Sequence, residues 1–201
     1  PEDTPLVAKT AAATGPLSLR LYQDEDTLPS LGSLFEPANH RMEVEFSRAG
    51  AGIKSIRFSD IFETVNGKLA WHKYRVDGGE QPPIEDLYLL STTHELAYNT
   101  DQGVQTATIS VLGASQITIN GQSLHLTSPT VWRVQGTGRF EATVVDETNA
   151  EIAKITRVWT INNQYGLLLE QKVQNLSGSS LDVEWLQYGP ASLRVDRSRY
   201  I

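Results

Sequence analysis

Gln116-Ile117-Thr118-Ile119-Asn120-Gly121-Gln122-Ser123-Leu124-His125-Leu126 is the stretch whose reading decides the fold class. Apolar and polar residues alternate on both sides of Asn120-Gly121, a pair that tolerates the positive φ of a two-residue hairpin turn. The pattern continues toward the C-terminus. Thr130–Val134 and Arg139–Val145 flank Gly136-Thr137-Gly138, and Ile152–Ile161 and Leu167–Gln174 flank Asn162-Asn163-Gln164-Tyr165-Gly166. Leu181–Tyr188 follows Ser177-Gly178-Ser179-Ser180. Strands of this length and spacing predict an antiparallel all-β domain, with a run of hairpins from about Gln116 to Tyr188. There is no βαβ alternation and no fixed-period repeat.

Upstream, Arg41–Phe46 places Met42, Val44 and Phe46 on one face; Gly50-Ala51-Gly52 breaks the strand and Ile53–Phe58 resumes it as a second hairpin. Asp77–Asp86, with Gly78-Gly79 and Pro82-Pro83, reads as a loop. Leu69–Val76 and Leu87–Leu90 beside it read as short strands, and Ser91–Thr100 admits a short helix. Residues 1–36 read as a proline-interrupted tether in which only Leu17, Leu19 and Leu21 alternate as an edge strand would.

At 201 residues with 39% apolar content, the chain is large enough for one sizeable core and fits one sandwich better than two small domains. A net charge of −7 argues against nucleic-acid binding, which needs a surplus of Lys and Arg. Without cysteine, neither a disulfide framework nor a thiolate metal site is available. No stretch approaches the roughly 18 apolar residues needed to cross a bilayer. The opening at Pro1, with no initiator Met and no signal peptide, is expected of an excised fragment.

His40, His72, His94 and His125 stand at no metal-ligand spacing, and His94-Glu95-Leu96-Ala97-Tyr98 lacks the second histidine of a zinc-protease helix. No nucleophile elbow and no phosphate-binding glycine loop is present. Glu141, Asp146, Glu147 and Glu151 lie near a strand end, where carboxylates on a solvated face are the ordinary explanation. Asn175-Leu176-Ser177 fits a glycosylation sequon, a pattern short enough to recur by chance. Trp132, Trp159 and Trp185 fall on apolar strand faces and are expected in the core, whereas Trp71 is the tryptophan expected to be exposed for binding. Arg157 interrupts the apolar face between Ile155 and Trp159, which predicts a bulge or a side chain snorkelling to the rim. No catalytic, cofactor-binding or metal residue is assigned, no cofactor is implied, and the partner-binding residues are left open.

Lys154-Ile155-Thr156-Arg157-Val158-Trp159-Thr160-Ile161, the turn holding Tyr165, Leu167–Val173 ending in Gln174-Asn175, and then Leu181-Asp182-Val183-Glu184 resemble the large periplasmic domain of YidC-type membrane protein insertases. The Met42–Phe58 hairpin is similar to that domain's opening hairpin, and Tyr188-Gly189-Pro190 with Arg194–Tyr200 to its exit toward the membrane. The likeness runs from Arg41 to Ile201 and is loose between Asp60 and Ser115. It implies an antiparallel β-supersandwich, galactose-mutarotase-like, over residues 37–190. Residues 1–36 would be its tether, and 191–201 would lead to a membrane region beyond Ile201. It further implies a non-enzymatic role in membrane protein insertion and folding on the periplasmic side of the bacterial inner membrane. The implied partners are the Sec translocon with its accessory subunits, or nascent membrane proteins. The competing reading is a sugar-active mutarotase-like enzyme pairing His72, His94 or His125 as acid with Glu141 or Glu170 as base. A carbohydrate-binding sandwich using Trp71 stands third.

Overall fold

The computed structural model describes residues 15–23, 28–35, 40–100 and 103–190. In chain order the strands of the first half are β1 (Ser18–Leu19), β2 (Leu31–Gly32), β3 (Met42–Ser47), β4 (Gly52–Phe62), β5 (Leu87–Thr92), β6 (His94–Thr100) and β7 (Gly103–Ile109). The second half adds β8 (Ala114–Ile119), β9 (Gln122–His125), β10 (Arg133–Gly136), β11 (Arg139–Val145), β12 (Glu151–Ile161), β13 (Leu167–Asn175) and β14 (Val183–Gln187). Among the described residues one α-helix, α1 (Val65–Asp77), stands between β4 and β5. All strand pairs are antiparallel. The chain is an all-β protein.

Three sheets share the core. One runs β1-β11-β12-β13 with β10 also on β11; another β2-β3-β4-β5; a third β14-β8-β9. Strand β3 buries Met42, Val44 and Phe46 and leaves the alternate residues half-buried, as its period-2 pattern requires. These three meet Ile117 and Ile119 of β8, Phe140 of β11 and Ile155 and Trp159 of β12 in one apolar cluster. Phe46 sits at the junction, its ring 5.7 Å from Phe140 and 6.1 Å from Trp159. The described parts of the N-terminal segment join this body: Leu17 is buried, β1 pairs β11, and β2 pairs β3. Residues 191–201, expected to form the exit segment, lie outside the described residues.

The hairpin read first is present as predicted. Asn120 and Gly121 take φ of 50° and 80°, and Ile119 pairs with Gln122 across the turn. The turn between β12 and β13 is also as predicted, with Asn163 Oδ1 accepting from the Tyr165 and Gly166 N–H groups. The run of hairpins is broken in two places. Strand β14 leaves β13 and pairs with β8, so the chain changes sheet at Ser177–Asp182. Strand β10 begins at Arg133 rather than Thr130, because Pro129–Val131 forms a 3-10 turn.

Two local expectations are overturned. Leu69–Val76, expected as a strand, lies inside α1. Thr64 caps that helix, its hydroxyl accepting from Gly67 N–H at 3.0 Å, and Gly78 at φ 75° ends it with a bond to Tyr74 C=O. Ser91–Thr100, expected to admit a helix, is strand in β5 and β6. Gly67 is required where α1 crosses the Ile84–Asp86 turn, because a Cβ there would stand 2.8 Å from Asp86 Cβ.

Candidate functional site

Among the described residues, Arg157 is the buried charge of the core. Strand β12 keeps regular register through it on both sides, so no bulge forms there, and its side chain is fully buried rather than reaching the rim. Both sequence-based explanations of Arg157 are therefore corrected. What holds it is a pair of loop carbonyls: Nη1 donates to Gly50 C=O at 3.0 Å and Nη2 to Leu112 C=O at 2.6 Å. Its guanidinium lies 5.6 Å from the Trp159 ring centroid and 6.0 Å from that of Trp185. Planar guanidinium suits this setting, since it stacks on aromatic faces while its edge donates. Burial pulls its pKa down to about 9, so it remains a cation at neutral pH. Beside it, Trp159 Nε1 donates to Ala51 C=O at 3.2 Å. The whole Gly50-Ala51 corner is thus pinned to β12.

A second cluster ties β4 to the turn between β12 and β13. Asp60 on β4 accepts from Arg41 Nη1 at 3.0 Å and from the Tyr165 hydroxyl at 2.7 Å. Tyr165 also meets Phe58 edge-on at 5.7 Å. The hydrogen bond to Asp60 raises the Tyr165 phenol above its usual value. Arg75 of α1 donates to Ser59 C=O and lies 5.1 Å over Trp71; burial lowers its pKa, against the pull of Asp60.

The other candidates are dispersed. Trp132 and Trp159 are buried in the core as expected, Trp132 donating to Leu126 C=O at 2.8 Å, and Trp185 is half-buried against it. Trp71, expected to be exposed, is fully buried with Leu34 and Leu87 and donates to Pro83 C=O, because the helix turns it inward. His72, His94 and His125 are exposed on α1, β6 and β9, and His40 is half-buried. Glu141 of β11 pairs with Lys154 at 3.4 Å, and Glu170 is exposed on β13. Asp146 caps its own turn, accepting from Thr148 and Ala150, and these bonds lower its pKa. Glu151 pairs with Arg20 at 2.6 Å, and Glu147 is exposed. Asn175 Oδ1 accepts from Ser177 N–H and its hydroxyl, which gives that sequon-like tripeptide a turn-forming role.

The described residues also line surface cavities. One of about 540 Å³ lies between α1 and residues 78–83, and one of about 360 Å³ beside Asp60–Lys68. A polar groove of about 340 Å³ crosses the three-stranded sheet, lined by Gln116, Thr118, Ser123, Asp182 and Glu184. Among the described residues no group of three His, Asp or Glu side chains is placed to hold a metal ion. None of the described helices is long and apolar enough to cross a membrane.

Sequence reasoning missed Asp60, Arg41 and the Gly50 and Leu112 carbonyls. Their partners are distant in sequence: Tyr165 is 105 residues from Asp60, and Arg157 is 107 from Gly50. No protein-family model, no curated protein and no solved structure matches the chain.

Proposed function

We propose that this chain is the periplasmic domain of a YidC-type membrane protein insertase. In this reading it is a non-enzymatic β-supersandwich held at the outer face of the bacterial inner membrane, where it assists insertion and folding. Its partners are then the Sec translocon with its accessory subunits, or nascent membrane proteins. The observation that supports this reading is how the segments carrying the resemblance are joined. Met42–Phe58 and Lys154–Gly189 are locked together by Arg157 on Gly50, by Trp159 on Ala51 and by the Phe46–Trp159 contact. The two segments that carry the resemblance thus form one packed unit. Two nitrogens of the buried Arg157 side chain hold loop carbonyls, which suits a scaffold.

The test is fractionation and cross-linking of the full gene product in its own cells. Recovery in the inner membrane, with photo-adducts from the exposed Leu186 position to translocon subunits or nascent membrane proteins, is expected. A soluble product that forms no such adducts overturns the proposal.

The polar groove favours a second reading, a carbohydrate-binding sandwich, because hydroxyl, amide and carboxylate groups converge there. Titration with galactose and glucose, followed through Asp182→Asn and Glu184→Gln variants, separates the two.

A further inference from the structure

Strands β6 and β7 form a two-stranded ribbon of their own, with Thr100 opposite Gly103 at one end and His94 opposite Ile109 at the other. It stands off the body. From Gly103 to Thr108 every residue of β7 is exposed, as are Glu95, Leu96 and Ala97 of β6, and burial begins only at Ile109. Leu96 is 46% and Val104 71% exposed. An isolated two-stranded ribbon is marginally stable in water, and three or more strands are needed for a sheet to hold by itself.

The two edges of this ribbon differ chemically. β6 carries Glu95, whereas β7 reads Gly103-Val104-Gln105-Thr106-Ala107-Thr108-Ile109, with no charge and no proline. Charged residues and prolines are what normally protect an edge from pairing, and β7 has neither. With two residues between Thr100 and Gly103, that closing pair exchanges its backbone bonds across the ribbon, and so do the alternate pairs beyond it. The N–H and C=O groups of Val104, Thr106 and Thr108 then point outward.

We propose that β7 is a dimerisation edge that takes a second copy of this chain. A two-fold axis at Thr106 pairs Thr106 with its copy and Val104 with the partner's Thr108, two β-branched combinations that favour cross-strand packing. The product is a four-stranded sheet, β6-β7 continued by β7 and β6 of the second copy. No like charges meet across it, whereas the same pairing through β6 brings the Glu95 residues of the two chains onto one short seam. The contact is a single strand pair, so it forms a weak, concentration-dependent dimer rather than an obligate one.

Sedimentation velocity on the whole chain, from about 1 μM to about 1 mM, spans the range of such interfaces. The expected result is a reversible shift from monomer to dimer mass. Thr106→Pro removes an outward N–H without breaking a β6–β7 bond, and is expected to weaken dimerisation about tenfold or more. Ala97→Pro on the opposite edge is expected to leave it unchanged. Amide exchange at Val104, Thr106 and Thr108 should slow as concentration rises, a readout independent of either variant's folding. Monomer at every concentration overturns the proposal. So does a dimer that Thr106→Pro leaves intact, or slowed exchange that requires an added extended peptide instead of a second copy.

Discussion

Arg157 donates to the backbone carbonyl of Gly50 at 3.0 Å, joining the middle of β12 to the glycine corner between β3 and β4 across 107 residues of chain. A guanidinium with no carboxylate partner is expensive to bury, and here its hydrogen bonds to carbonyls and its two tryptophan neighbours offset that cost. Such a residue fixes which loops meet more than it adds net stability.

Arg157→Ala therefore leaves the buried Gly50 and half-buried Leu112 carbonyls without their guanidinium partner and a void beside Trp159, with an expected loss of about 3–5 kcal/mol in denaturant unfolding. Arg157→Met fills the space and removes the buried charge. It is expected to cost less than about 1.5 kcal/mol while loosening the Gly50 and Leu112 corners, seen as faster amide exchange there. Equal losses for the two variants would mean that the carbonyl bonds alone hold the site.

Tyr165 gives a pH signature. Its phenol pKa is raised by the hydrogen bond to Asp60, so the protonated form is favoured in the folded state. That contribution is fully present below the unfolded value of about 10 and is lost as pH rises through the higher folded value. Alkaline phenolate titration should show one tyrosine delayed in the wild type. Asp60→Asn should bring it back toward about 10, and Tyr165→Phe should remove it.

Gly67→Ala gains helix propensity of about 1 kcal/mol in an isolated helix. Here its Cβ would meet Asp86 Cβ at 2.8 Å, and backbone must move to admit it. A net loss of about 1–2 kcal/mol is expected in thermal unfolding, with the sign opposite to the propensity scale.

Gly121→Ala tests the turn on which the fold class was read. At φ 80° an L side chain is strained, and a loss of about 1 kcal/mol is expected in denaturant unfolding.

What the sequence made legible is local. Asn120-Gly121 announces its own conformation, and Met42, Val44 and Phe46 alternate because one strand face is buried. Leu69–Val76 misled because Trp71 and Tyr74 are common in strands; the Thr64 cap and Gly78 stop that mark a helix lie outside the window. The strand partner of β14 and the carbonyl partners of Arg157 are fixed by tertiary packing, with nothing in the neighbouring residues to signal them. Arg157 reads as a rim residue because charges ordinarily seek water, and only the converging loops reverse that preference. Of the candidate site, Arg157 and Trp159 stand out in the sequence as residues, but the contacts that join them to Gly50, Ala51 and Leu112 do not.

The proposed place of this domain in a membrane protein insertase is checked by reading the coding sequence past Ile201. An open frame that continues into several apolar segments of about 20 residues each, long enough to span a bilayer, is expected. A stop codon directly after Ile201, or a continuation without such segments, would contradict it.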